Sequence, residues 1–396
     1  MRIALIADTF PPLRSSGAVQ LRDLSREFVR QGHEITVMVA SPQQTEPWLL
    51  EDYHGVQVLR LHTPRIKDVS YVRRTMAELL MPFYMKRNLQ RSPLAAATWD
   101  AVVWYSPSIF LAPLVNFLKK RHQIPGYLII RDIFPEWAVD MGLMGRGLPY
   151  RFFRTVADYQ YSAADIIGVQ TPGNRVYFEQ WLAGDEGRVE VLQNWLSDTG
   201  VSNCSIRIAD TALAGKRIFV YAGNMGVAQG MNTILAFAQA MSEKPEVGFV
   251  FVGRGSDSER LRAEALRRKL DNVLFFDEID PDEIPGLYQQ CDVGIVALDV
   301  RHKTHNIPGK FISYMQAGLP VLAMINPGND LQQLIVSNNV GVVSTQADAD
   351  VLTGKASELL SRLESDQEIS GRCRSLYEQL FAPEIAVSQI VRALQS

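Results

Sequence analysis

The residue types best suited to chemistry gather in 305–320, HNIPGKFISYMQAGLP, where a polar loop runs into a helix start. Pro308 fixes its own φ and biases Ile307 towards an extended shape. Gly309 lets a backbone come close, and Lys310 opens a helix that Gly318 and Pro320 close. A lysine beside the free N–H groups of a helix start suits an anion, first of all a phosphate. The alternative is an ordinary helix start with a solvated lysine. Other loops carry comparable chemistry. Ser15, Ser16 and Gly17 form a small-residue turn between a strand and the helix they cap, suited to a phosphate or a sugar oxygen. GNMG, Gly223 to Gly226, followed by Gln229 and Gly230, is a second such turn, in which the glycines around Asn224 and Met225 permit close backbone approach, with or without a guest. Gly253, Arg254 and Gly255 place a guanidinium where it could hold a pyrophosphate or lie on the surface. In RDIFPEW, Asp132 and Glu136 stand among Phe134, Pro135 and Trp137, apolar neighbours that can raise a carboxyl pKa and let it orient or deprotonate a hydroxyl. Asp132 is the stronger candidate, against the reading of a helix N-cap.

Each of these loops follows a short apolar run. RIALIA, ITVMVA, VQVLRL, AVVWY, YLIIRD, DIIGVQ and VEVLQN alternate with helical patterns, then RIFVYAG, VGFVFVG, NVLFFD, VGIVAL, VLAMI and VGVV do so again. That alternation predicts parallel sheets covered on both faces. Between Leu196 and Lys216 the sequence turns polar and small, the best linker in the chain. Two doubly wound α/β domains follow: 1–196, a linker at 197–216, 217–382, and a C-terminal amphipathic helix at 383–396 able to pack back on the first. Ligands of open parallel sheets sit beyond the carboxyl ends of the strands, where the loops above lie.

A chain of 396 residues with 47% hydrophobic and 21% charged content reads as two globular domains, and a formal net charge of -3 argues against a nucleic-acid binder. Cys204, Cys291 and Cys373 contain no CxxC and read as reduced thiols in a cytosolic protein. The start, MRIALIADTF, is too soon interrupted for a signal peptide. In 101–118, AVVWYSPSIFLAPLVNFL, Pro107, Pro113 and Asn116 favour a buried strand and helix over a membrane span. GNMG is not GxGxxG and no acidic residue ends the next strand, so a dinucleotide cofactor is disfavoured. The DxD-like pair Asp348 and Asp350 reads as solvated surface, so no metal site and no cofactor is expected. No GK[ST] loop or Ser/His/Asp arrangement supports an NTPase or a hydrolase.

Residues 65–91 carry Arg73, Arg74, Lys86 and Arg87 interleaved with Met76, Leu79, Leu80, Met81, Phe83, Tyr84 and Met85. In a mildly acidic chain that local excess suits docking on anionic lipid head groups; a buried helix with a solvated basic face is the alternative.

Taken in order, these loops resemble the retaining glycosyltransferases of family 4, with the GT-B fold of two facing Rossmann-like domains and a cleft between them. The resemblance covers nearly the whole chain and rests on the first small-residue turn, YAGNMGVAQG, FVGRG, CDVGIVAL, and KFISYMQAGLPVLA with NPGNDLQQLI. DIFPE and IPGK are similar to stretches of a bacterial branch that builds O-antigen or capsule on lipid carriers, some of whose members resemble N-acetylfucosamine transferases. The resemblance implies metal-independent transfer from a nucleotide diphosphate sugar, UDP-linked by preference and with an N-acetylated 6-deoxy sugar as one option, to a lipid-linked saccharide. It places the chain on the cytoplasmic face of an inner membrane, without nucleic acid. It further implies that Ser16, Gly17 and Gly223 to Gly226 approach the donor diphosphate and that Arg254 and Lys310 neutralise it. Gly253, His305, Asn306, Pro308 and Gly309 complete the donor wall. The family usually has Arg at Asn224, Lys at Gln229, glutamates at His305 and Ser313, and His at Arg131; this chain lacks all five, which leaves its grip on ribose and sugar open. A transferase-like fold that binds a glycolipid or an assembly partner without catalysis, and a sugar-nucleotide epimerase, are the alternatives.

Overall fold

The computed structural model describes residues 1–396 except 14, 67–68, 183–187, 199, 201–202, 227–228 and 300–306. The chain packs as two units, Met1–Trp195 with Pro383–Ser396, and Leu196–Ala382. The first contains β1 (Arg2–Ala7), α1 (Ser16–Arg30), β2 (Glu34–Ser41), β3 (Trp48–Tyr53), β4 (Val56–His62), α2 (Tyr71–Leu89), β5 (Ala101–Tyr105), α3 (Ala112–His122), β6 (Gly126–Ile129), α4 (Glu136–Asp140), α5 (Leu148–Ser162), β7 (Ile166–Val169), α6 (Glu179–Leu182) and β8 (Val189–Val191). The second contains β9 (Arg217–Ala222), α7 (Met231–Ala240), β10 (Val247–Val252), α8 (Ser258–Arg267), β11 (Val273–Phe276), α9 (Ile284–Tyr288), β12 (Val293–Ala297), α10 (Gly309–Ala317), β13 (Val321–Met324), α11 (Asp330–Ser337), β14 (Gly341–Ser344), α12 (Ala349–Ser365) and α13 (Ile369–Leu380). α14 (Pro383–Gln395) closes the chain.

The first sheet runs β3-β4-β2-β1-β5-β6-β7-β8 and the second β11-β10-β9-β12-β13-β14. Both are parallel except at β3, which pairs antiparallel with β4. β1, β5, β9, β10 and β12 are apolar almost throughout because helices cover both faces. One helical layer, α2, α3 and α5, packs on the first sheet through Met81, Met85, Leu114, Leu118, Ala157 and Tyr161. On its other face α1 meets α14 through Leu21, Leu24, Phe28, Val387, Ile390 and Leu394. Met81 and Met85, read from sequence as exposed-looking, are therefore core. The stretch 197–216, read as a linker, is packed where it is described: Ile206, Ile208 and Leu213 are buried in the second unit. Residues 101–118 form β5 and the start of α3, and among the described residues no helix is long and apolar enough to cross a membrane.

Candidate active site

In the second unit, the chain leaves β9 through Gly223 at φ 137° and the chain leaving β10 passes against it through Gly253 at φ 138°. A Cβ on Gly253 would lie 2.2 Å from the Gly223 carbonyl oxygen, and one on Gly255 2.3 Å from that of Met225. Only glycine allows both this left-handed backbone and this approach. Gly223 N–H donates to Val252 O at 2.9 Å and Met225 N–H to Arg254 O at 2.8 Å, so the two loops form one backbone platform.

Lys310, second residue of α10, reaches this platform. Pro308 caps the helix at φ -62° and ψ 140°, Gly309 begins it, and Gly318 ends it at φ 74°. Lys310 Nζ donates to Tyr221 Oη at 2.8 Å and lies 4.0 Å from the centre of that ring. A Cβ on Gly223 would come 3.6 Å from Lys310 Cε. Tyr221 Oη in turn donates to Asn224 O at 2.6 Å. Among the described residues no carboxylate forms an ion pair with this ammonium. Burial lowers its pKa from 10.5 to about 7. The outcome is a partly desolvated cation beside a glycine turn, with no ion-pair partner among the described residues.

Tyr221 is the residue the sequence reading missed. It stands inside the apolar run RIFVYA and reads there as core. Its hydroxyl is the only polar side-chain atom of that strand besides Arg217, and this was the available signal. Tyr314 performs similar work deeper down, with its hydroxyl donating to Val220 O at 3.1 Å and Ile295 O at 3.3 Å.

The other residues assigned from sequence to a donor have partners within the chain or lie outside the described residues. Gln229 Oε1 accepts from Gly226 N–H at 3.0 Å and from Asn224 Nδ2 at 3.4 Å, so an amide oxygen occupies one donor of the turn. Arg254 points out and meets Glu278 at 3.2 Å, an exposed pair of the kind worth under about 1 kcal/mol and easily exchanged for a ligand. Ser313 Oγ donates to Gly309 O at 3.2 Å within its own helix. His305 and Asn306 lie outside the described residues.

Ser15, not Ser16, caps α1, accepting from Ala18 N–H at 3.2 Å, while Thr9 Oγ1 lies 3.0 Å from Ser15 Oγ. A Cβ on Gly17 would lie 3.3 Å from both Thr9 and the Tyr105 ring. Tyr105 donates to Gln20 Oε1 at 2.6 Å. Beyond β6 the buried Arg131 donates to Leu192 O at 3.0 Å and stacks over Trp195 at 4.5 Å. Burial lowers its pKa to about 10 while raising that of Tyr105. Gly17, Tyr105 and Arg131 thus stand together beneath the first loop.

Asp132 is exposed at the end of this strand segment, whereas Glu136 is buried. Glu136 Oε1 accepts from Tyr150 Oη at 2.8 Å and from Arg154 Nη1 at 2.9 Å, and Arg146 lies 3.7 Å from Oε2. Its oxygens are committed to α5 and the loop before it, whereas Asp132 stands exposed at the strand end. Of the basic residues at 65–91, Arg74 pairs with Glu78 at 2.9 Å and Lys86 Nζ lies 4.4 Å from the Phe117 ring centre. Asp348 caps α12 through Asp350 and Val351 N–H, a structural task.

Two doubly wound sheets, parallel but for the edge strand β3, give the chain the α/β architecture of the GT-B fold. Residues 17–195 match a model described as a glycosyl transferase 4-like domain, and residues 216–362 one described as glycosyl transferases group 1. The chain is a family-4-like glycosyltransferase. It is 24% identical to probable glycosyltransferase WbjE of Pseudomonas aeruginosa over 70% of each chain. It is 22% identical to O-antigen chain mannosyltransferase C of Escherichia coli over 99% of this chain and 97% of that one. Among solved structures it resembles sucrose-phosphate synthase from Thermosynechococcus elongatus, with a TM-score of 0.74 and 15% identity, covering 100% of this chain and 98% of that one. It also resembles Anabaena Alr3699/HepE in complex with UDP-glucose, with a TM-score of 0.69 and 14% identity, covering 100% and 99%.

Proposed function

We propose that this chain transfers a sugar from a nucleotide diphosphate donor to a hydroxyl of a lipid-linked saccharide, with retention of anomeric configuration and without a metal ion. The reading rests on one observation, the Lys310 ammonium held against the Gly223 turn by Tyr221 with no carboxylate partner among the described residues. As the C1–oxygen bond of the donor breaks, its electron pair goes to the diphosphate. Lys310, the turn N–H groups and Arg254 released from Glu278 stabilise that charge, the kind of electrostatic contribution that is often largest in such catalysis. The acceptor oxygen bonds to C1 on the same face, and its proton goes to the leaving phosphate oxygen. Asp132 positions the acceptor hydroxyl. The UDP-glucose complex of the Anabaena neighbour supports a UDP-linked donor, and O-antigen synthesis in the E. coli relative supports a surface-polysaccharide acceptor. An N-acetylated 6-deoxy sugar belongs in the donor panel. The acceptor's lipid places the chain at the cytoplasmic face of an inner membrane as a peripheral protein, with Arg73, Arg74, Lys86 and Arg87 facing lipid.

The test is transfer, or slow donor hydrolysis, by purified protein with a panel of nucleotide sugars, the product anomer being read by NMR. Lys310→Ala should lower turnover by far more than tenfold with an unchanged circular dichroism spectrum; near-normal turnover would sink the assignment. Ser313, bonded within its helix and offering no carboxylate to the ribose, favours a second reading, binding without catalysis. Nucleotide-sugar binding with no turnover across the panel would establish that reading.

A further inference from the structure

At the carboxyl ends of β6, β7 and β8 the first unit buries polar side chains where the strands themselves are apolar. The three strands are parallel neighbours, with Ile129 beside Gly168 and Val169 beside Val191. Just past those pairs stand Arg131, Gln170, Thr171 and Asn194, exposed by 7%, 4%, 0% and 5%. Gln193, half-buried, is the most open member of this polar floor.

Arg131 is fixed from three sides. Its Nη1 donates to Leu192 O at 3.0 Å and its Nη2 to Gln193 O at 3.4 Å, while the guanidinium lies 4.5 Å from the Trp195 ring centre. Trp195 is held in turn by donation from its Nε1 to Gln20 O at 2.7 Å. These contacts leave one edge of the guanidinium over. Arg131 Nε is buried with no hydrogen-bond partner among the described residues, and so is Gln193 Oε1, on the residue whose main-chain oxygen Arg131 already holds. A buried donor or acceptor left unpaired costs about 1–3 kcal/mol, and folding gains nothing from it. Such a cost is retained where a ligand supplies the missing partner.

The chemistry of that partner is specific, because it has to accept from Nε–H and donate to Oε1. A hydroxyl does both with a single oxygen. A carboxylate has no proton for Oε1, and an ammonium has no lone pair for Nε–H and is repelled by the guanidinium. We infer that Arg131 and Gln193 hold a hydroxyl of a neutral sugar, the acceptor residue whose reacting hydroxyl Asp132 positions. Gln193 is the side chain that turns to admit it, and the fixed Arg131 sets its place. The inference rests on the transfer reading and adds that the acceptor sugar is neither a uronic acid nor a free amino sugar.

Saturation-transfer NMR with no nucleotide sugar present tests it. The probes are methyl glycosides of neutral hexoses, 6-deoxyhexoses and N-acetylhexosamines, set against methyl hexuronides and methyl glycosides of free hexosamines. At least one neutral glycoside should bind, and its charged counterparts at least tenfold more weakly. One monodeoxy analogue of that glycoside should bind the wild-type chain at least fivefold more weakly than the parent. Gln193→Met removes the acceptor and keeps the length of the side chain, so it should bind parent and analogue alike. In transfer assays the same variant should raise KM for the acceptor at least fivefold, with donor KM and circular dichroism unchanged. Arg131→Lys keeps the charge, loses Nε and should show the same loss; if it does not fold, Gln193→Met decides alone. No binding of any neutral glycoside, equal binding of a uronide, or undiminished discrimination by Gln193→Met would overturn the proposal. Transfer with an unchanged acceptor KM in Gln193→Met would sink this subsite alone. Saccharide binding without transfer from any nucleotide sugar would leave the subsite standing and sink the transfer reading.

Discussion

Lys310 carries the main electrostatic consequence. Its pKa near 7, lowered by burial, lies below the value of an unfolded lysine, so between about 7 and 10.5 the unfolded chain binds more protons and stability rises with pH. Below that window the buried charge opposes folding. Lys310→Met should therefore stabilise the chain more at pH 6 than at pH 10, measured as denaturation midpoints, while abolishing transfer. A stability change independent of pH would contradict a desolvated ammonium. An anionic guest favours the charged form, so nucleotide-sugar binding at pH 8 should take up a proton, visible in calorimetry as a dependence on buffer ionisation enthalpy. Affinity should weaken as pH rises above 7. Tyr221→Phe removes both the acceptor for Lys310 and the donor to Asn224 O. At about 1 kcal/mol per hydrogen bond it should cost nucleoside diphosphate affinity several-fold to tenfold and leave nucleoside monophosphate affinity nearly unchanged. Lys310 was legible in sequence because proline, glycine and a helix start isolate it. Tyr221 was not, because its task depends on Lys310, 89 positions away in the chain.

At the scale of elements, the crossing of the loops after β9 and β10 is the most demanding construction. Gly253→Ala would place a methyl group 2.2 Å from a backbone oxygen at φ 138°. Strain of this kind costs about 1–3 kcal/mol per residue. The variant should lose that much stability, or shift the turn and lose diphosphate binding; wild-type behaviour in both would refute the platform. Sequence showed these loops as glycine turns after apolar runs, and each of those runs forms a strand. It missed β3, an antiparallel edge strand whose WLLEDY lacks clean alternation. It also assigned Glu136 to substrate, since its partners Tyr150 and Arg154 come from a helix that only the fold brings back.

For the molecule as a whole, α14 is the economical detail: residues Pro383–Ser396 return to the first unit after the second is complete. Val387, Ile390 and Leu394 are buried there, and Gln389 Nε2 donates to Val191 O at 2.8 Å. Removing 383–396 uncovers Leu21, Leu24 and Phe28 of α1 and should cost the first unit about 5 kcal/mol. Hydrogen exchange should report lost protection in α1 with unchanged protection in β9 and β12. Lys310 and the Gly223 turn are proposed to bind a nucleotide diphosphate. The most direct test is calorimetric titration of wild type and Lys310→Met with UDP, and with the other nucleoside diphosphates, against their monophosphates. One diphosphate should bind and lose at least tenfold in affinity in the variant, while its monophosphate is little affected. Equal diphosphate affinity in the two proteins would contradict it.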